Sequence, residues 1–209
     1  VTTTLEGYYG DNWGDTFFFV DYDYNSKNSD GKFIGVSGSY FEIARGLNFW
    51  KDSVLKDLSA HVEYNGGVGF GSQNFLLGAD YLLHNADYSN TFKFSLMYKT
   101  FSGNASSDTP LQFTFVWGMK NIFGVDGLTF SGFADIWGEN TKFWYADPVD
   151  KQAEEGKFIF ISEPQLWYNV GKHFGVDNLN IGTEIELTYN FAGNHGFYCR
   201  PCLGTKWVF

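Results

Sequence analysis

Between Leu179 and Asn190 the chain alternates residue by residue. Ile181, Thr183, Ile185 and Leu187 fall on one side of an extended strand, and Asn180, Gly182, Glu184, Glu186 and Thr188 on the other. Gly127–Glu139 repeats the pattern, with Leu128, Phe130, Ala134 and Ile136 opposite Thr129, Ser131, Phe133, Asp135, Trp137 and Glu139. Stretches of this kind, bounded by clusters of turn-forming residues, recur along the whole chain: Val1–Tyr8, Thr16–Tyr24, Lys32–Ala44, Leu58–Asn65, Asn74–His84, Thr91–Phe101, Pro110–Lys120, Gly127–Glu139, Lys157–Asn169, Leu179–Asn190 and Phe197–Phe209. Helical periodicity is missing except over Gly46–Leu58, where a turn or two of helix is expected. The pattern predicts an all-β protein with eleven strands in this chain.

Alternation alone does not say which face is inside. In a soluble sandwich or lipocalin-like barrel the apolar face is the core; in a membrane barrel it faces lipid. Three features favour the membrane arrangement. The strands recur about every 19 residues instead of the roughly 8 to 12 of a sandwich, and their lengths suit a tilted membrane strand. Aromatic residues crowd the strand ends, at Trp13, Tyr22, Tyr24, Trp50, Trp117, Trp144, Tyr145 and Trp207, as an interfacial girdle requires. Counting back from Phe209 with the C-terminus periplasmic, the longest connection, Asn140–Gly156, falls outside together with 25–31, 66–73 and 103–109, and short turns such as Asn121–Asp126 fall inside; Arg45–Asp57 is long for an inner turn. The last segment, Leu203–Phe209, ends on an aromatic residue with Leu203, Thr205, Trp207 and Phe209 on one face, the signature of the closing strand of an outer-membrane barrel. The expectation is a transmembrane antiparallel up-and-down β-barrel, one domain over residues 1–209. Because closure with both termini on one side needs an even count, about 12 strands are expected in all, the first lying upstream of Val1.

Composition is compatible with this. The longest aliphatic-aromatic runs, Phe17–Val20 and Phe158–Ile161, are far too short for a membrane helix, and a mean hydropathy of -0.24 is no argument for solubility when apolar residues are hidden in alternation. A net charge of -10 with only 14 Lys and Arg argues against nucleic acid as a partner. Cys199 and Cys202, three apart in an extended strand, sit roughly 10 Å from each other, too far for a disulfide unless Pro201 enforces a turn; a zinc site needs two further ligands, with His195 the only one nearby. Gly67–Gly71 lacks the Lys and helix of a phosphate loop, and Ser26–Gly31 lacks the first Asp and last Glu of a calcium loop. His61 and Ser59 share the polar side of their strand, away from lipid, with no nucleophile motif to support hydrolysis. No enzyme activity, metal or cofactor is called for.

Trp13–Tyr24, His61–Gly67, Phe130–Trp137, Ile161–Asn169 and Gly182–Leu187 together resemble the Tsx-type nucleoside-specific channel-forming proteins of the outer membrane, most of all the short branch found in Bacteroides-like bacteria. The likeness spans nearly the whole chain. It implies a twelve-stranded monomeric barrel in the Gram-negative outer membrane that passes nucleosides and deoxynucleosides. The chain departs from that pattern in its apparent lack of a first strand, in the Cys-Arg-Pro-Cys stretch and in being shorter than the enteric members.

With lipid on the apolar side, the other face projects a row of ionisable and aromatic groups inward. So many charges cannot sit dry, since each unpaired one costs on the order of several kcal/mol, and a water-filled lumen follows. The candidate solute-binding residues are Phe17, Phe19, Asp21, Glu42, Glu63, Asp135, Trp137, Glu163, Trp167, Glu184, Glu186 and Arg200. Carboxylates interleaved with aromatic faces suit a small, neutral, hydroxylated planar solute: a base stacks on the rings, at about 1–3 kcal/mol each, the acids accept from sugar hydroxyls, and anions are repelled. Trp137, Trp167 and Phe19 are expected to border the narrowest passage. The functional expectation is a porin-type channel for passive nucleoside diffusion, with the lipid bilayer and small neutral solutes as partners. The alternative is an accessory barrel with a blocked lumen, held in a larger assembly with other outer-membrane proteins.

Overall fold

The structure is a computed structural model that describes all residues except 25, 69–72, 104 and 144–153. The alternating segments become strands: β1 (Thr2–Asp11), β2 (Gly14–Asp23), a small hairpin of β3 (Ser26–Lys27) and β4 (Phe33–Gly35), then β5 (Gly38–Leu47), β6 (Leu58–Val68), β7 (Asn74–His84), β8 (Asn90–Lys99), β9 (Leu111–Lys120), β10 (Leu128–Phe143), β11 (Glu154–Ser162), β12 (Gln165–Tyr168), β13 (Leu179–Tyr189) and β14 (Phe197–Trp207). All but β3 and β4 join one 12-stranded antiparallel sheet in which sequence neighbours are also spatial neighbours. This is the up-and-down order that alternation with short connections dictates, since each strand pairs with the one it turns back upon.

The twelve segments occupy eleven positions, because β11 and β12 share the same two neighbours, β10 and β13. The break between them is Pro164. Proline has no N–H to give the ladder, yet the strand runs straight on: Glu163 N donates to Phe133 O on one side at 3.0 Å, and Pro164 O accepts from Ile185 N on the other at 3.0 Å. The expected single segment Lys157–Asn169 is therefore one strand with a missing rung. Two other expectations are corrected. Lys32–Ala44 splits at Val36-Ser37, its first part turning back on Ser26–Lys27, and Gly46–Leu58 forms successive turns instead of helix, with Asn48 donating to Lys56 O and Trp50 to Leu58 O. The expected outer connection Asn140–Gly156 is shortened at both ends by β10 and β11, and what remains of it, with Trp144 and Tyr145, lies outside the described residues.

The chain divides into two compact units: unit 1 is Val1–Asp80 with Leu96–Leu111, and unit 2 is Tyr81–Ser95 with Gln112–Phe209. In unit 1 the best-buried apolar side chains, Ala44, Leu76 and Met97, sit among buried polar ones, namely Asn48, His61, Glu63, Asn65, Asn74, Asp80 and Lys99. Unit 2 buries Trp137, Phe143, Ile159 and Ile161 together with Ser95, Gln112, Thr188 and Asn190. On its apolar face Phe94, Phe115, Trp117 and Phe130 form a chain of ring contacts, with centroids 4.8 to 5.8 Å apart. Trp117 lies there across its cross-strand partner Gly132, where a Cβ would stand 2.7 Å from the indole.

Candidate functional site

The pleat places every sequence-predicted site residue on the polar face of its strand, and register shows which of them meet. In unit 1, Phe17 pairs with Ala44 and Ala44 with Glu63, Phe19 pairs with Glu42 and Glu42 with Asn65, and Asp21 pairs with Tyr40. Residues directly opposite in an antiparallel pair share a face, so Phe17, Phe19, Asp21, Glu42 and Glu63 make one surface. Aromatic contact runs through it, with Phe17 to Phe19 at 6.0 Å and Phe19 to Tyr40 at 5.7 Å, and the Thr4 hydroxyl donates to Asp21.

The tightest group in unit 1 is centred on His61. Its Nδ1 lies 2.9 Å from Asp80 Oδ2 and its Nε2 lies 3.2 Å from Glu63 Oε2. Glu63 Oε1 accepts from Asn65 Nδ2 at 2.8 Å, and Asn65 Oδ1 accepts from Asn74 Nδ2 at 3.0 Å. A carboxylate only accepts, so with both acids ionised both contacts are hydrogen bonds when the imidazole donates from both nitrogens. The network ties β6 to β7. Of its members, the sequence pattern pointed to His61 and Glu63 and missed Asp80 and Asn74. The signal was present but broken: Asn74, Leu76, Gly78 and Asp80 share one side, and the leucine between the polar residues masks their phase.

In unit 2 the candidates form two groups. On β12 to β14, Trp167 Nε1 donates to Gln165 Oε1 at 2.8 Å, and Gln165 Nε2 donates to Glu184 Oε2 at 2.7 Å. Trp167 faces Gly182, which in turn faces Gly204. A Cβ on Gly182 would stand 2.6 Å from the indole and one on Gly204 3.1 Å from it, so the pair of glycines lets the ring lie against the sheet. Lys206 Nζ stands 5.9 Å above the Trp167 ring. One step along, Glu186 and Arg200 are cross-strand partners and form an ion pair, and the guanidinium lies 5.1 Å over Tyr198. On β10 and β11, Asp135 faces Thr114 and Ile161, Trp137 faces Gln112 and Ile159, and Trp137 donates to Glu139 at 2.7 Å while its ring meets the edge of Phe191. Glu163 stands at the rung beside Pro164. These neighbours give each indole N–H an acceptor on its own strand, with Trp137 buried and Trp167 part-exposed.

The remaining chemical motifs resolve into structure. Cys199 faces Leu187 and Cys202 faces Glu184, so the two free thiols project from opposite faces of β14. His195 lies 3.1 Å from Glu154. Ser26–Gly31 comprises β3 and most of the turn of the β3–β4 hairpin, closed by Asn28, whose side-chain oxygen accepts from the N–H groups of Asp30 and Lys32. Among the described residues no three His, Cys, Asp or Glu side chains are grouped to hold a metal ion.

A family model described as "Domain of unknown function (DUF5020)" matches residues 1–209. The chain belongs to this family. No curated protein and no solved structure matches it. The polar-face clusters in this member are therefore read from chemistry: the unit 1 group is buried and hydrogen-bonded within itself, whereas the β12–β14 group is part-exposed.

Proposed function

We propose that this chain is an integral β-barrel of the Gram-negative outer membrane, related to the Tsx-type channels, through which nucleosides or similar small neutral hydroxylated solutes diffuse. The observation that carries the reading is inverted burial. Along β6 and β7, His61, Glu63, Asn65, Asn74 and Asp80 are buried while their chain neighbours Val62, Phe75, Leu77 and Tyr81 are exposed, and on β8 Lys99 is buried while Leu96, at 59% exposure, and Tyr98 are not. A sheet in water does the reverse, because exposed apolar area costs about 25 cal/mol per Å². That cost vanishes when the apolar face meets hydrocarbon, where a strand of about 9–11 residues spans the bilayer; β6 to β9 have 10 or 11.

For the solute, the support is the Trp167, Gln165 and Glu184 group with the Glu186–Arg200 pair beside it. A planar ring stacks on an indole, and carboxylates accept from hydroxyls; an inorganic ion needs neither. The test is conductance of the reconstituted chain in planar bilayers with and without adenosine or thymidine, paired with liposome uptake. The expected result is saturable nucleoside uptake that Trp167→Ala weakens while small-ion conductance stays equal or rises. Equal uptake of nucleosides and sugars of similar size would leave a general pore. A second reading, an accessory barrel with a blocked lumen, is favoured by the dry His61 network, where none of the five side chains keeps more than 5% of its surface exposed; it predicts uptake of neither solute class.

A further inference from the structure

Three turns of unit 2 lie at the same end of its antiparallel strands: 85–89 after β7, 121–127 after β9 and 169–178 after β12. Each carries a large aromatic side chain at the surface, Tyr88 stacked on His84 with ring centroids 3.9 Å apart and the two phenylalanines more fully exposed. Tyr88 is exposed, Phe123 is 93% exposed and Phe174 is 76% exposed. Two of these are also held in an unfavourable backbone conformation, Tyr88 at φ 54° and Phe123 at φ 56°, the left-handed region that bulky L residues avoid and that turns usually fill with Gly, Asn or Asp. The turn at Phe123 is fixed from both sides: Gly124 N donates to Asn121 O, Val125 N to Ile122 O, and Gly127 N to the Asn121 side chain. Folding gains no packing from the Phe123 ring. Strain kept at an exposed aromatic residue points to something outside the chain that meets the ring.

The surroundings say what that is. Lys172 Nζ lies 3.1 Å from Asp126 Oδ2, also donates to Asp126 O, and stands 5.1 Å over the Tyr168 ring. These bonds join the 121–127 turn, which carries Phe123, to the 169–178 connection, which carries Phe174, through a pair of opposite charges of which Asp126 is largely exposed. Apolar tips above a neutralised charge pair match the zwitterionic boundary of a bilayer, where amphipathic and aromatic side chains settle. The depth agrees. β8 and β9 have 10 residues and β13 and β14 have 11; at about 3.3 Å per residue and a tilt of about 35–45°, they rise roughly 23–30 Å, a range that includes the ~25 Å apolar band of such proteins. Turns that begin where the strands end then lie among the headgroups and not beyond them.

We propose that the turn tips carrying Phe123 and Phe174 are interfacial anchors that enter the boundary between headgroups and acyl chains of the bilayer, with the Lys172–Asp126 pair held at headgroup level. The inference rests on the membrane reading above. It is tested by nitroxide labels at Phe123→Cys and Phe174→Cys, in the full chain with Cys199→Ser and Cys202→Ser, reconstituted in phosphatidylcholine vesicles. Collision rates with oxygen and with a water-soluble nickel chelate report depth, and a label at Ile181→Cys on the apolar face of β13 reports the membrane reading independently. The expected result is an oxygen-to-nickel ratio highest at residue 181 and, at 123 and 174, at least about threefold above that of free label in buffer. A ratio at both tips equal to that of free label, with residue 181 still dominated by oxygen, overturns the anchors and leaves the membrane reading standing. Nickel-dominated collisions at 181 as well overturn both.

Discussion

Around β6 and β7 a histidine, two carboxylates and two asparagines pack until none is more than 5% exposed, while around β12 to β14 a tryptophan, a glutamine and two glutamates keep part of their surface open. Both groups come from polar faces of the same alternating kind. They differ in how their hydrogen-bonding capacity is spent. In the first, the imidazole has a carboxylate at each nitrogen and the amides run in series into Glu63, so all five side chains are linked in one buried network. In the second, Trp167 donates to Gln165 and Gln165 to Glu184 in a part-exposed setting, with the indole alongside. The lesson is that polar-face membership does not make a binding residue. A buried cluster bonded to itself ties its strands together, whereas a part-exposed one stays within reach of its surroundings.

The comparison can be broken most forcefully at its centre. His61→Ala leaves Glu63 and Asp80 facing one another in a dry site, and removal of one partner from a buried charged network costs about 3–5 kcal/mol; denaturant unfolding in detergent micelles should show a loss of that size. The equivalent truncation in the open region, Glu184→Ala, should cost under about 1 kcal/mol in the same assay, because water replaces the lost partner. Similar losses at both positions would mean that the two faces do not differ as described.

The sidedness that underlies both regions is next. Ile185→Arg, on the apolar side of β13, is expected to destabilise the chain in lipid by about 2–4 kcal/mol if the residue lies near the bilayer midplane, while Glu184→Gln next to it is tolerated. A neutral Ile185→Arg in reconstituted vesicles would contradict a lipid-facing β13. A smaller effect sharpens the platform: Gly182→Ala sets a methyl 2.6 Å from the Trp167 indole and 2.2 Å from Leu166 O, and overpacking of that kind costs about 1–3 kcal/mol. It should also lower nucleoside saturation, whereas the same change at Gly193, a loop glycine with nothing within 4 Å of a Cβ, should leave saturation alone. The mildest change is Gln165→Ala, which removes two side-chain hydrogen bonds in a part-buried site and should cost about 0.5–1.5 kcal/mol in stability, with weaker nucleoside selectivity as the sensitive readout.

Most of the strand plan was legible in the sequence. Asn74–His84 coincides with β7 at both ends, and Leu179–Asn190 misses β13 by one residue, because period-two alternation and turn residues are local signals that pairing reinforces. Lys32–Ala44 misled because a hairpin turning back on residues 26 and 27 uses the same β-prone residues as a straight strand, and Gly46–Leu58 because its apolar spacing suits turns as well as helix. For the site, the phase of each residue was readable and its partners were not. Trp167 was identifiable as a polar-face aromatic, but Gly182 and Gly204 beneath it come from two other strands, and only register brings them there.

The amino-acid sequence by itself determined an all-β chain, the positions of its strands and the division of each strand into an apolar and a polar side, since these depend on spacing along one segment. Only the tertiary structure decided which side is buried, which carboxylates meet His61 in a buried cluster and which lie part-exposed near Trp167, and that Pro164 interrupts one strand without ending it. Those outcomes depend on which residue of a neighbouring strand stands opposite. Cross-strand partners are set by the pairing of the whole sheet, and no local pattern contains them.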